Sequence, residues 1–263
     1  MNSKEVKMLL HEFDENPRAV INPEDCVKPA ENFPKVVVSC FAYTTFNRLV
    51  EVTGARKIDS VHIAHADLPV YLAEYKGKHI ALAPSCVGAP ACCAILEDLF
   101  AKGAQKAVIF GTCGVLDKGI GDCSVIIPNT AMRDEGTSFH YAPPSDEIVV
   151  NEKYGEAFAA MLEEIGCSYT RGKVWTTDAA YRETREKVNR RKESGCVCVD
   201  MECSAVAALC QFRGKDALHF FYAADNLDGD KWDKRSLGND DNLLAKDRIA
   251  LLAMEMAARM TEK

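Results

Sequence analysis

The chain has 263 residues, 48% apolar and 27% charged, and its 39 acidic and 32 basic side chains leave a net charge of −7. This is the composition of a globular protein with a core large enough for one or two domains, and it excludes disorder, collagen and fibre. The acidic balance supplies no basic surface for nucleic acid or for an anionic membrane, so small molecules are the expected partners.

The N-terminal stretch MNSKEVKMLLHEFDENPR contains only the short apolar run 8–10, which is not the apolar segment of a secretory signal. Residues 35–41 (KVVVSCF) read as a buried strand and residues 45–52 as the start of a helix. Residues 71–75 and 79–83 form a hairpin around Lys76-Gly77. Residues 80–96 lack charge and histidine, but Pro84, Gly88 and Pro90 break them and they fall short of the roughly 20 residues of a spanning helix. From 90 to 102 the pattern is helical: Pro90 suits a first turn, Ala91, Ile95, Leu96, Leu99 and Phe100 make one apolar stripe, and Gly103 closes it.

A strand at 106–110 runs into Gly111-Thr112-Cys113-Gly114. A further strand is expected at 124–128, a helix at 154–165 closed by Gly166, and a helix at 205–212 closed by Gly214. A strand at 218–223 and an amphipathic helix at 242–260 complete the series. Strands alternating with helices predict an α/β fold with helices on both faces of a mainly parallel sheet. No Pro-rich or Ser-rich linker divides the chain, so residues 35–263 are read as one α/β domain and residues 1–34 as an N-terminal extension packing on it. The twelve cysteines include no C-x-x-C pair and read as small core residues of a reducing, cytoplasmic compartment. His62 and His65 lie in an alternating, strand-like stretch that would send them to opposite faces, so no metal site is expected.

No phosphate-binding G-x-x-x-x-G-K-[ST] occurs, and Gly119-Ile120-Gly121 is followed by Ser124 where a dinucleotide fingerprint needs glycine. What stands out is polar residues at the ends of apolar strands: Thr112 after 107–110, Asp200-Met201-Glu202 after 196–199, and Asp225-Asn226 after 218–224. Ligands of α/β sheets sit beyond such strand ends. A carboxylate there can equally cap the next helix, and both roles stay open for each acid.

These segments, with Cys86-Val87-Gly88-Ala89-Pro90, Phe110-Gly111-Thr112-Cys113-Gly114, Gly121-Asp122, and Arg133-Asp134-Glu135-Gly136-Thr137-Ser138 with His140-Tyr141, resemble the ordered motifs of the nucleoside phosphorylases that include uridine phosphorylase and the hexameric purine nucleoside phosphorylases. The resemblance runs from about Val36 onward. It implies a single-domain, three-layer α/β/α sandwich with a mixed, partly barrel-like central sheet, sites shared across a dimer, and a homo-oligomer that can reach a hexamer. It implies cleavage of an N-glycosidic bond with inorganic phosphate as co-substrate and no other cofactor. Glu202 and Met201 would hold ribose, with His140 either reaching a neighbouring subunit's sugar or packing at the interface, and Asp225 would protonate or hydrogen-bond the purine N7. Thr112, Gly88 and Arg48 would hold phosphate, and Tyr181, Gly114 and Asn226 would meet the base.

The chain also departs from that pattern. A Gly-Asp-Pro loop after the first strand is replaced by residues 39–45, and Ile109 and Ala66 stand where the family has phosphate-binding arginines. Neither side chain can act as a bidentate anion ligand. Arg133, Arg182 and Arg185 are the alternatives for reaching an anion. Hydrolysis instead of phosphorolysis, and nucleoside binding without catalysis, are therefore carried as alternatives, and the base is left as uracil or purine.

Overall fold

The computed structural model describes residues 8–262. Strand β1 (Val36–Cys40) is buried along its whole length because both faces of its sheet are covered. Val36, Val38 and Cys40 enter one core with Phe46, Phe110, Phe220 and Met254, whereas Val37 enters the other with Leu96, Leu99 and Ile109. Alternation on a two-sided sheet thus yields the unbroken apolar run.

Helix α2 (Tyr43–Thr53) follows, then β2 (Arg56–Ile63), β3 (Ala66–Tyr75) and β4 (Lys78–Pro84). Lys76 and Gly77 turn between β3 and β4 with φ of 50° and 71°, the left-handed pair that a two-residue hairpin requires. Helix α3 (Ala89–Lys102) leads to β5 (Lys106–Val115). Next come β6 (Val125–Asp134), β7 (Glu147–Val149), α4 (Gly155–Glu164), β8 (Tyr169–Thr177) and α5 (Arg185–Glu193). The chain ends with β9 (Cys196–Asp200), α6 (Cys203–Arg213), β10 (Asp216–Asn226) and α7 (Leu243–Met260).

Strand β5 organises the sheet because it has three neighbours. Its first half pairs in parallel with β1, its whole length with β10, and its last two residues antiparallel with β9. Strand β10 then pairs with β6, β6 with β8, and β8 with β9, which closes a ring. Strands β4, β3 and β2 continue outward from β1 as an open wing. Helices α2, α4 and α7 cover one face, and α3 and α6 the other. The expected α/β sandwich with a mixed, partly barrel-like sheet is the observed fold.

Several elements outrun their expected limits. The strand expected at 106–110 continues to Val115 and that at 124–128 to Asp134, because β10 and β8 offer partners past the glycine and the asparagine that end the local pattern. Gly111 is required for packing, since a Cβ there would lie 2.7 Å from the ring of Phe41. Helix α5 buries only Val188, so it has no apolar stripe from which to foresee it. Of residues 1–34, the first seven lie outside the described residues. The remainder is tied down by Phe13 against Phe212 at 6.3 Å, by the Arg213 guanidinium donating to the Pro17 carbonyl at 2.6 Å, and by buried Phe33. No helix among the described residues is long and apolar enough to cross a membrane.

His219 on β10 is buried between Phe41 and Phe221, with ring centroids 6.2 and 4.7 Å away, and neither ring nitrogen has a partner among the described residues. Burial alone holds the imidazole down at about 3. The unfolded chain takes up a proton below about 6.5 that the folded chain refuses, so stability falls as pH drops from there towards 3. Relative to His219→Phe, the native chain is expected to lose up to about 1.4 kcal/mol per pH unit in that window. Urea unfolding midpoints of both proteins between pH 4 and 7 check this; parallel pH curves would refute it.

Candidate active site

The junction between β9 and α6 places the first site residues. Asp200 ends the strand, and its Oδ2 accepts the backbone N–H groups of Glu202 and Cys203 at 2.9 and 2.7 Å. Its Oδ1 accepts the Thr176 hydroxyl at 2.7 Å. Of the two roles open to it, Asp200 therefore takes helix capping. Thr176 Oγ1 accepts the Ser204 N–H, Ser204 donates its hydroxyl to Glu135, and Glu135 accepts the N–H of Ser138, whose Oγ accepts Arg133 Nε. All six residues are buried. The turn Met201-Glu202 thus hangs from a saturated polar network.

Met201 and Glu202 face an inner hollow of about 180 Å³, which Thr112, Cys113 and Gly114 of β5 and Phe221 and Asp225 of β10 also line. Thr112, Glu202 and Asp225, far apart in sequence, share one cavity. Glu202 Oε1 accepts the Gly88 N–H at 2.6 Å, which ties it to the N-terminus of α3, where Gly88 sits at φ 103°. Burial first, and then the neighbouring Asp200 carboxylate, push Glu202 up to about 8. Asp225 is raised by burial, while the indole N–H of Trp232, donating to its Oδ2 at 2.7 Å, works against that rise. Gly114 gives the acid its room: a Cβ there would come 3.2 Å from Asp225 Oδ1 and 2.5 Å from Leu227.

Five of the expected residues, Thr112, Gly114, Met201, Glu202 and Asp225, line this hollow, and Gly88 reaches it through Glu202. The other four stand elsewhere. Asn226 is paired by its backbone to Asp233, and its side-chain Oδ1 accepts the Asp228 N–H at 2.8 Å, so it shapes the following loop. His140 is exposed at the end of the short turn Thr137–His140. Tyr181 is fully exposed and lines an outer hollow of about 430 Å³. Arg48 binds Asp247 with both arms, at 2.7 and 2.5 Å. This clasps α2 to α7, outside the hollow, because α7 offers a carboxylate at bidentate distance.

The other candidate arginines are also engaged or distant. Arg133 is held by Ser138 and by the Pro143 carbonyl at 2.7 Å and stacks on Phe139. Arg185 donates to the carbonyls of Leu227 and Gly229, and Arg182 is exposed. Ile109 is buried in the core under α3 and α6, and Ala66 opens β3 at the surface. Among the described residues, no lysine or arginine lines the inner hollow.

Sequence reasoning missed Glu183 and Trp232. Glu183 lines both hollows and is pushed up to about 7 by burial and by the nearby Asp225 carboxylate. Its only local signal was an acid just before Thr184, the residue that caps α5. Trp232 sits in an irregular loop that the isolated bridge between Asn226 and Asp233 brings back over β10. Among the described residues, no group of three or more histidine, cysteine or acidic side chains is arranged to hold a metal ion.

Residues 37–258 match the family model described as the phosphorylase superfamily. A DeoD-type purine nucleoside phosphorylase of Bacillus cereus is 27% identical over 160 residues, covering 58% of this chain and 66% of its own length. The protein of the same name from Bacillus thuringiensis (strain Al Hakam) matches to the same extent. The chain thus spans just under two thirds of the length of these curated relatives. Among solved structures, uridine phosphorylase from Vibrio fischeri ES114 superposes with a TM-score of 0.72 at 21% identity, over 90% of this chain and 94% of that one. Purine nucleoside phosphorylase from Toxoplasma gondii, in complex with immucillin-H, gives 0.73 at 19%, over 88% and 94%. At these identities the likeness establishes the fold.

Asp200→Ala would strand two buried N–H groups and a hydroxyl, at a cost of about 3 kcal/mol. Asp200→Asn, which keeps one carbonyl acceptor, would lose about half as much. Thermal or urea unfolding of the two variants checks this order.

Proposed function

The chain belongs to the phosphorylase superfamily, and from the chemistry of its cavity we propose that it cleaves the N-glycosidic bond of a purine ribonucleoside with inorganic phosphate, releasing free base and ribose 1-phosphate. The observation that carries this reading is the convergence of Thr112, Glu202 and Asp225 on one hollow. Breaking the bond sends its electron pair to the base and leaves positive charge on the sugar. Catalysis therefore needs an acid or hydrogen-bond donor at the base, and acceptors at the sugar hydroxyls.

Asp225, raised by burial, serves as the acid that meets N7 as negative charge develops there. A pyrimidine has no N7 for it to serve, which favours purine over uridine. Glu202, in its ionised form, accepts the 2′ and 3′ hydroxyls, and Met201 packs under the ring. Thr112 and the N-terminal dipole of α3 support the phosphate. No further cofactor, nucleic acid or membrane enters the reading. Residues 1–34 serve as an extension on the catalytic domain. The protein acts in the cytoplasm as a homo-oligomer, a dimer or a ring of dimers up to a hexamer, with exposed His140 serving a neighbouring sugar site.

One observation favours a second reading. With no lysine or arginine among the described residues of its wall, the hollow offers a phosphate dianion no charge partner, as cleavage by water would allow. Incubation with inosine, adenosine and uridine, with and without phosphate, separates the two. Ribose 1-phosphate from the purine nucleosides, with uridine at least about tenfold slower, supports phosphorolysis. Free ribose at a rate indifferent to phosphate supports hydrolysis. Thermal stabilisation by nucleoside without any product identifies a binding protein. Asp225→Asn is expected to lower kcat by about 10² to 10³-fold.

The pH dependence gives a separate check. Because Glu202 becomes a charged and therefore stronger acceptor as it ionises, near 8, KM for the ribonucleoside should fall as pH rises from 7 to 9. Glu202→Gln should raise KM and remove that slope; a slope that persists in the variant would assign it to another group.

A further inference from the structure

The cavity does not end at Asp225. The inner hollow shares Ala180, Glu183, Asp225, Leu227 and Leu237 with the outer one, whose volume of about 430 Å³ exceeds the inner 180 Å³ more than twofold. Two large aromatic side chains form the outer wall, Tyr181 at 103% and Trp232 at 58% exposure. Val188, Leu227 and Leu237 add aliphatic surface to it. Two of its polar wall groups already have partners: the Arg185 guanidinium donates to the Leu227 and Gly229 carbonyls, and the Trp232 N–H donates to Asp225. Beside the carboxyl groups of Glu183 and Asp225 on the shared boundary and the Arg185 guanidinium, which two carbonyls engage, the chamber offers aromatic faces and aliphatic groups that suit a flat apolar guest.

We propose that the outer chamber is a substrate subsite that receives a flat apolar group attached to the base, so that the preferred substrate is a purine ribonucleoside substituted on its 6-nitrogen. The inference rests on the reading that a ribonucleoside occupies the inner hollow with Asp225 at N7. On a purine, N7 and the exocyclic 6-position share one edge, and a group carried at position 6 leaves the ring beside whatever meets N7. Asp225 stands on the boundary between the two hollows, so that group enters the outer one. An unsubstituted base leaves both aromatic faces in water, whereas an aromatic substituent stacks against Tyr181 and Trp232.

The test compares kcat/KM of the full chain for N6-benzyladenosine and adenosine. The substituted nucleoside is expected to be cleaved at least as efficiently as adenosine. The ratio of the two values should drop about tenfold in Tyr181→Ala and in Trp232→Ala, whatever each change does to adenosine itself. Trp232→Phe, which keeps a ring but loses the N–H, should retain the ratio. Binding supplies an independent readout, because of the two tryptophans Trp175 is fully buried and only Trp232 is exposed. N6-benzyladenosine should quench the exposed indole more strongly than adenosine, and the difference should vanish in Trp232→Phe.

Cleavage of adenosine with N6-benzyladenosine more than tenfold poorer would overturn the proposal, as would a ratio unchanged in both alanine variants. Neither result would touch the nucleoside reading. If both nucleosides fail in turnover and in quenching, the nucleoside reading itself falls, and this subsite with it.

Discussion

The site depends on the carboxylate of Asp200 more than on any group that faces the cavity. One oxygen closes the first turn of α6 and the other holds Thr176 of β8, so strand, turn and helix are fixed relative to each other at one point. Glu202 can project into the hollow only because its own backbone N–H is held from behind. The network that continues through Ser204, Glu135, Ser138 and Arg133 explains why Arg133, a buried cation nearby, is unavailable to a ligand. Its charge is already committed to holding the loop after β6.

The closed ring of strands supplies the second constraint. Strand β5 carries Thr112 and Gly114, while β10, its parallel neighbour, carries Asp225 in register with Gly114. Strand β9 meets β5 at Gly114 and Val115, which brings Asp200 and the following turn to the same end. Three strand termini thus converge because one strand pairs with both of the others. The Phe41 ring over Gly111 and the Phe221 ring give the wall of the hollow its aromatic surface.

Electrostatically the cavity is lined by acids whose affinity for a proton is raised. Glu183 and Glu202 are raised to about 7 and 8 by burial and by each acid's carboxylate neighbour, and Asp225 is raised as well. With no cation among the described residues of the wall, crowding of carboxyl groups in an apolar shell is what keeps protons available near neutrality. Trp232 moderates this at Asp225, since its N–H stabilises the ionised form. Asp225 is therefore set by a balance between burial, which raises it, and the Trp232 donor and the Arg235 charge, which work against that rise.

Much was legible in the residues alone. Apolar runs, glycine stops and the polar residues stranded after 107–110, 196–199 and 218–224 identified the layers, the strand ends and the three acids or hydroxyls worth following, because side-chain periodicity and helix termination are local physics. Closure of the ring was legible only through the family resemblance, and the continuation of β5 and β6 and the existence of α5 were not legible, since the contacts that decide them come from distant segments. The role of each polar side chain was likewise decided in three dimensions. Asp200 and Glu202, two residues apart, divide into cap and cavity acid, and Arg48 joins a helix clasp. Glu183 and Trp232 enter the site from loops that no local pattern distinguishes. Sequence determines which groups are present and which backbone elements carry them; which of those groups finds a partner, and which is left facing open space, depends on distances that only the folded chain sets.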